Sequence, residues 1–144
     1  MRPLEGVSVL DFSTLLPGPL ATLILAEAGA EVIKIERPDS GDEMRLYSPR
    51  LGAESVNFAL LNRGKRSIAI DLKAPDARRR LEPLLQRADV LVEQFRPGVM
   101  DRLGLDFDTV SRLNPGLVYA AITGYGARGA PGARARPDRA APRP

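Results

Sequence analysis

The sequence predicts an α/β protein built on a doubly wound, mainly parallel β-sheet. Short apolar runs with β-branched residues, typical of buried strands, alternate with segments of good helix formers along residues 1–126. The first of these units joins two strands through one helix and short turns, which is the kind of connection that parallel strands require. Ligands bind such sheets at the carboxyl ends of the strands.

The first unit has a predicted strand at residues 7–12, a helix at 20–28 and a second strand at 32–35. We expect Gly18 to adopt the unusual backbone angles of the first turn, and Pro19 to begin the helix, where its missing N–H costs nothing. The helix is apolar on nearly all sides, so it should be covered on both faces. Its N-terminus should present free N–H groups to a phosphate or carboxylate at residues 15–19, although a tight turn that binds nothing fits equally well.

The remaining elements continue the alternation. Residues 37–52 form a loop rich in glycine, proline and charge, and residues 63–66 form a basic turn in which Lys65 and Arg66 are expected to be solvated. Further strands are predicted at residues 67–72, 89–93 and 117–122. Further helices are predicted at residues 55–62, 76–88 and 99–103, and in a segment that Asp106 or Asp108 caps and Asn114-Pro115 ends. Pro83 lies inside the second of these helices and should kink or break it.

Composition excludes several kinds of chemistry. The 144 residues include no cysteine and no histidine, so disulfides, thiolate nucleophiles and a Ser-His-Asp triad are impossible. A metal site would need oxygen ligands alone, and none is predicted. The sequence has no apolar run long enough for a membrane span and no signal-peptide pattern, so we expect a cytoplasmic protein without a membrane segment.

The positive charge of the chain is concentrated in its last residues. Residues 127–144 contain five arginines and one aspartate, so the overall charge of +3 leaves −1 for residues 1–126, and nucleic-acid binding by that region is not predicted. The segment otherwise contains only Ala, Pro and Gly, so it is predicted to be a disordered tail. We favour the hypothesis that it is an out-of-frame reading of GC-rich DNA; a basic arm for nucleic acid is the alternative.

Two nucleotide-binding motifs occur in unsuitable contexts. Residues 124–129 match G-x-G-x-x-G after a predicted strand, but Pro131 and Pro137 forbid the helix that a dinucleotide site needs. The pair Gly64-Lys65 is similar to a phosphate-binding loop, but an arginine follows where Ser or Thr should hold Mg²⁺, and the next element is a strand. Neither motif therefore predicts a nucleotide site.

Five segments carry a resemblance to a known family, in order and with hardly a gap. They are residues 4–19, which include Pro-Gly-Pro; 29–42; 62–73, which end in Ile-Asp-Leu-Lys; 88–104, which include Glu-Gln-Phe-Arg-Pro-Gly; and 114–126. With these segments the chain resembles the N-terminal part of the class III CoA-transferases. This family is of the carnitine dehydratase and bile-acid-inducible F type, and it includes the 2-methylacyl-CoA racemases.

The resemblance implies a Rossmann-like large domain that binds CoA, a smaller domain after it, and interlocked homodimers. The implied substrates are an acyl-CoA and a carboxylic acid, with no permanently bound cofactor. The family's transferases attack the acyl-CoA carbonyl with an aspartate, whereas its racemases use a His and an Asp, and both sets lie beyond residue 126. Asp138 falls at about the right distance, but it lies in the tail between Pro137 and Arg139, so no catalytic residue is predicted.

The resemblance also places residues at the CoA molecule by position. They are Leu16 and Pro17 at the pantetheine and thioester; Arg37 at the adenine and ribose phosphate; Ile70, Asp71, Leu72 and Lys73 along the adenine and a phosphate; and Gln94, Phe95, Arg96 and Arg102 on the far wall. These positions also have interpretations that involve no ligand. Arg37 fits an ordinary surface arginine, residues 70–73 a strand end, Phe95 core packing, and Arg102 a favourable charge at a helix C-terminus.

We therefore interpret residues 1–126 as the CoA-binding part of a class III CoA-transferase-like enzyme, cut off before its catalytic residues. A racemase-type isomerase and a non-catalytic CoA-binding module are the alternatives. This part alone is expected to bind CoA weakly or not at all, and to expose apolar surface that the rest of the enzyme would cover.

Overall fold

The computed structural model of the protein describes residues 1–124 and 126. Its strands are β1 (Ser8–Asp11), β2 (Glu31–Glu36), β3 (Arg50–Leu51), β4 (Glu54–Ser55), β5 (Arg66–Ala69), β6 (Val90–Glu93) and β7 (Val118–Ala121). Its α-helices are α1 (Pro17–Glu27), α2 (Val56–Asn62), α3 (Ala77–Leu85), α4 (Val99–Leu103) and α5 (Phe107–Leu113), with a 3₁₀ turn at Glu43–Leu46. The predicted alternation of strands and helices is confirmed.

Five strands form one parallel sheet in the order β5-β2-β1-β6-β7, and β3 pairs with β4 in a separate small hairpin. Counted along the chain, the sheet strands follow the order 3-2-1-4-5 of the doubly wound Rossmann fold. The chain moves outward from β1 to β5 and then returns to β6 on the other side of β1. The crevice between β1 and β6 is therefore the switch point at which this fold binds ligands.

Helices cover both faces of the sheet, as predicted. Under α1, Val9, Ala30, Val32 and Val92 form one buried cluster, against which Leu25 packs. The opposite face is the larger core, in which strand residues such as Leu10 and Leu91 meet Leu81, Leu85 and Val110 from α3 and α5. Because successive strand residues point to opposite faces, the central strands carry mainly apolar residues on both sides.

The start of α1 differs from the prediction. The helix begins at Pro17 rather than Pro19, and the left-handed backbone falls on Leu15, with φ of 61°, rather than on Gly18. Glycine is required at position 18 for space: a Cβ there would lie 2.1 Å from the Cβ of Ser13. The residue is a close-approach glycine inside the first helical turn.

Two further expectations about helices are wrong. Helix α1 packs on the sheet and on α2, but within the described residues it is not covered on all sides, because Leu20 and Ile24 remain 43% and 59% exposed. Helix α3 runs without a break through Pro83 and ends at Leu85, short of the predicted residue 88. The carbonyl that Pro83 leaves unbonded belongs to Arg79, and both residues are exposed, so water can take the place of the missing donor. No helix in the described part of the chain is long and apolar enough to cross a membrane.

Candidate functional site

A cleft of about 270 Å³ opens at the carboxyl ends of the strands, between the sheet and α4. Six of the residues that the family resemblance placed at CoA line it together: Arg37, Ile70, Asp71, Leu72, Lys73 and Phe95. Phe12 and Ile35, at the ends of β1 and β2, add apolar surface. Glu36 and Asp42 also line the cleft, but their carboxylates are paired with Arg45 and Lys34. An apolar lining with Arg37 and Lys73 as its cations suits a flat heterocycle that carries phosphates.

Arg37 follows the last residue of β2 and lies at the rim of the cleft. Its Nη2 atom donates to Oε1 of Glu43 over 3.2 Å, and both side chains are about 60% exposed. An exposed pair of this kind contributes little to stability, roughly 0–1 kcal/mol. The guanidinium is therefore accessible to an anionic ligand, and its planar shape suits both stacking and bidentate contact with phosphate.

Residues 70–73 form a turn whose backbone is fixed. The N–H of Ile70 donates to the carbonyl of Glu36 over 2.9 Å, which extends the β2–β5 ladder by one residue. The Asp71 carboxylate then accepts the N–H of Lys73 over 2.9 Å. Ile70 itself is 4% exposed. This turn forms a rigid wall of the cleft, while the Lys73 side chain remains exposed.

The other predicted residues do not line this cleft. Arg102 lines a neighbouring cavity of about 480 Å³, and Arg96 lines a third one of about 660 Å³ beside Glu93 and Tyr119. Leu16 and Pro17 are exposed at the start of α1. Gln94 is tied to the same turn: its amide donates to the Thr14 carbonyl over 2.6 Å and its Oε1 accepts the Gly18 N–H over 3.1 Å.

The prediction that the start of α1 presents free N–H groups is wrong. Positions 17 and 19 are prolines, which have no N–H, and the Gly18 N–H is bound by Gln94. The N–H of Leu15 donates to both carboxylate oxygens of Asp42, over 3.0 and 3.2 Å. Side chains of the protein itself therefore fill the place where an anion was expected.

The same turn lies on a buried ionic network that sequence reasoning missed. The Lys34 ammonium lies 2.9 Å from Asp42, and the Lys65 ammonium 3.2 Å from Asp11, with each side chain no more than 2% exposed. Lys65 is thus not a solvated turn charge as predicted. Burial lowers the pKa of Lys65, and the negative charge of Asp11 opposes that shift. Charged residues inside otherwise apolar strands, at positions 11 and 34, were the available signal.

A further buried carboxylate, Glu36, supports the loop after β2. Arg45 donates to both of its oxygens, over 2.8 and 2.9 Å, and the Arg45 guanidinium lies 3.7 Å above the Phe58 ring. Burial alone would raise the pKa of Glu36, but hydrogen bonds from Arg45, Ser67 and the Asp42 N–H outweigh it and lower that pKa to about 2. The loop that carries Arg37 is therefore anchored at its base.

At the edge of the third cavity, Glu93 is 6% exposed. Burial raises its pKa, and the hydrogen bond that it accepts from the Phe95 N–H only partly offsets this. Burial also raises the pKa of Tyr119, helped by the negative charges of Glu93, Asp106 and Asp101. The lining of this cavity is acidic and does not suit an anion.

Comparison with known proteins identifies the family. A sequence model of CoA-transferase family III matches residues 4–141, which is nearly the whole chain. The chain belongs to CoA-transferase family III. This match runs past residue 126, the last residue of the five segments that carry the resemblance.

Relatives of this family III chain carry transferase names. It is 45% identical over 127 residues to an acetyl-CoA:oxalate CoA-transferase from Acetobacter aceti, covering 88% of this chain and 33% of that protein. It is 43% identical over 130 residues to the succinyl-CoA:glutarate CoA-transferase of Mus musculus, covering 90% of this chain and 30% of that protein. The chain thus spans about a third of the length of these relatives.

A solved structure supports the fold of the family III chain. A hypothetical protein from Mycobacterium tuberculosis matches 96% of this chain, and 37% of its own, with a TM-score of 0.85 and 42% identity. Asp138 and the predicted disorder of residues 127–144 lie outside the described residues, as does the hypothesis of an out-of-frame tail. These remain predictions.

Proposed function

We propose that this chain binds the CoA portion of an acyl-CoA, within a class III CoA-transferase that moves CoA between an acyl-CoA and a carboxylic acid. The observation that carries the proposal is the cleft at the carboxyl ends of the strands. Arg37, residues 70–73 and Phe95 come from three different connections, and the fold brings them to one cavity. No catalytic role is proposed for a described residue.

In this proposal the described residues bind and orient the coenzyme. The adenine would lie against the apolar wall of Ile70, Leu72 and Phe95, with the Arg37 guanidinium over it or on a phosphate. Lys73 would contribute a second positive charge at the rim. Leu16 and Pro17, at the start of α1, would meet the pantetheine as it leaves the cleft. The apolar lining and the separate charges match the two parts of a nucleotide.

The names of the relatives support transfer rather than racemisation. Both relatives described above are CoA-transferases whose names include a dicarboxylate, oxalate or glutarate. These two acids are the first acceptors to test, with acetyl-CoA and succinyl-CoA as donors. The interlocked homodimer that the resemblance implies, and the cytoplasmic location predicted from the sequence, remain part of this proposal.

The proposal is tested by titrating the folded chain with CoA up to millimolar concentration while following backbone amide resonances. Of the two outcomes that the sequence left open, weak binding or none, the proposal requires weak binding. We expect saturable shifts at residues 70–73 and a dissociation constant that Arg37→Ala weakens by about tenfold, since a charge-assisted hydrogen bond contributes roughly 1.5–3 kcal/mol. Arg63→Ala is the matched control, because Arg63 is a half-exposed arginine paired with Glu27 away from the cleft. A folded chain without shifts in the cleft, or equal effects of the two substitutions, would contradict the proposal.

A further inference from the structure

Leu15 has a left-handed backbone, which is unusual for a residue with a bulky side chain. With φ of 61°, it is the one residue other than glycine that has a positive φ in the described part of the chain. A side chain makes this conformation costly, so it persists only where the surrounding structure enforces it. Leu15 directly precedes Leu16 and Pro17, which are exposed. Whatever enforces the conformation therefore also determines where these two residues lie.

One buried ion pair enforces this conformation. The Asp42 carboxylate accepts the Leu15 N–H on both oxygens, over 3.0 and 3.2 Å, and lies 2.9 Å from the Lys34 ammonium. Lys34 in turn donates to the carbonyl of Ser13 over 2.7 Å. Both charged side chains are at most 1% exposed. The pair therefore holds the backbone on both sides of Thr14, in a place with little water, where charge-assisted hydrogen bonds are strong.

Asp42 also connects this turn to the loop that carries Arg37. Its carboxylate accepts the Met44 N–H over 2.9 Å, and its own N–H donates to Glu36 over 3.0 Å. Glu36 is the last residue of β2, and Arg37 follows it. One side chain thus fixes the turn before α1 relative to the loop after β2. In the proposed function these two segments meet different parts of CoA, the pantetheine and the nucleotide.

We propose that Asp42, paired with Lys34, is a positioning residue for the acyl-CoA. It holds Leu15 in the left-handed conformation and thereby sets where Leu16 and Pro17 lie relative to the cleft. A buried ion pair adds little net stability over well-packed apolar residues, so its hydrogen bonds to the turn are the property that an apolar pair could not supply. This inference rests on the proposed function, because it concerns the orientation of the coenzyme and assigns Asp42 no contact with it.

The test compares CoA with adenosine 3′,5′-bisphosphate, the nucleotide of CoA without the pantetheine arm, as ligands of the full chain. We expect the wild-type chain to bind CoA about tenfold more tightly, the gain from burying roughly two methylene groups. Asp42→Asn should abolish this difference and leave the affinity for the bisphosphate within about twofold, since Arg45 and Glu36 still anchor the loop. The substitution removes a negative charge, which cannot by itself weaken phosphate binding, so a lower affinity for CoA reports the turn.

A second variant and a matched control accompany Asp42→Asn. Lys34→Met combined with Asp42→Asn leaves no unpaired charge, so it serves if the single variant does not fold, and it should show the same loss. Asp106→Asn is the control, because Asp106 also accepts a backbone N–H, that of Thr109 over 3.0 Å, but caps α5 and does not line the cleft. Its preference for CoA should equal that of the wild-type chain. Circular dichroism shows which variants are folded.

The pattern of affinities decides between a positioning role and a purely structural one. Loss of the preference for CoA with unchanged bisphosphate binding supports the inference. An unchanged preference in a folded Asp42 variant, or equal weakening of both ligands, overturns the inference and leaves the proposed function intact. A wild-type chain that binds both ligands equally well also overturns it, since the turn would then contribute nothing to binding. Failure of the folded wild-type chain to bind either ligand overturns both.

Discussion

The Lys65 ammonium lies 3.2 Å from the Asp11 carboxylate at a point where both side chains are almost completely buried. Lys65 also donates to the Pro19 carbonyl, to Thr22 and to Asn62, over 2.8 to 2.9 Å. It therefore links the end of β1, the first two turns of α1 and the end of α2. The chain depends on this lysine for the shape of the turn that leads into the candidate site.

Replacing Lys65 with methionine should destabilise the protein by about 3–5 kcal/mol, because Asp11 would keep a buried charge without a cation. The measurement is urea-induced unfolding followed by circular dichroism. Combining Lys65→Met with Asp11→Asn should restore part of the loss, since the double variant leaves no unpaired charge.

The matched control for this prediction is Arg66→Met. Arg66 is the next residue along the chain and pairs with Glu31 on the surface, with 74% of its side chain exposed. Its loss should cost less than about 1 kcal/mol. If Lys65→Met and Arg66→Met lose the same free energy of unfolding, burial of the Lys65–Asp11 pair does not add to its contribution to stability.

Gly18→Ala should also be strongly destabilising, for a purely steric reason. The added Cβ would lie 2.1 Å from the Ser13 Cβ and 2.8 Å from the Gln94 amide oxygen, so the turn or α1 would have to move. We expect a loss of about 2 kcal/mol or more, in the range of severe overpacking. The unfolding midpoint in urea measures it.

Gly116→Ala serves as the comparison for Gly18→Ala. Gly116 has no left-handed backbone angle, and its added Cβ would meet only the Asn114 side-chain oxygen, at an ordinary 3.7 Å. Its unfolding midpoint should stay close to that of the wild-type protein. A Gly18→Ala variant as stable as Gly116→Ala would show that Ser13 does not lie in close contact with Gly18 of α1.

The sequence was sufficient for the architecture because its signals are local. Helix α4 ends at Leu103, as predicted, and is followed by the left-handed Gly104, while Asp106, one of the two predicted caps, caps α5 through the Thr109 N–H. The parallel strands were equally clear from their apolar runs, since a strand buried on both faces leaves few positions for polar residues. Family resemblance then supplied the residues of the cleft.

The errors around the start of α1 have a different origin, because they depend on contacts between distant residues. Asp42 caps the Leu15 N–H from 27 positions away, and Gln94 holds Gly18 from 76 positions away, so the α1 terminus looked open in the sequence. Lys65 looked solvated because nothing near it in sequence shows that α1 covers it.

Acid should destabilise the protein partly through Glu36. Its pKa is lowered from the 4.5 of a free glutamate to about 2, so the stabilisation is fully present above pH 4.5 and is lost as the pH falls from there toward 2. A shift of this size corresponds to about 3 kcal/mol. Glu36→Gln should lose stability at pH 7 and show a shallower fall between pH 4.5 and 2 than the wild-type protein. Parallel stability curves for the two proteins across that range would contradict the assignment.

Glu93 should have the opposite effect to Glu36 on the pH dependence of stability. Its pKa is raised because burial disfavours its charged form, so the ionised carboxylate costs stability at neutral pH, and this cost disappears as the pH falls below its folded pKa. Glu93→Gln keeps an oxygen for the Phe95 N–H, which Glu93 accepts over 2.7 Å, and removes the buried charge. We expect the variant to be more stable than the wild-type protein at pH 7, by about 1 kcal/mol, with the difference shrinking toward pH 4.5.

Glu43→Gln, at a glutamate with 60% of its side chain exposed, should show no such gain. Urea unfolding at pH 7 and pH 4.5 measures all three proteins, and a Glu93→Gln variant that is less stable at pH 7 would show that an ionised Glu93 serves the structure.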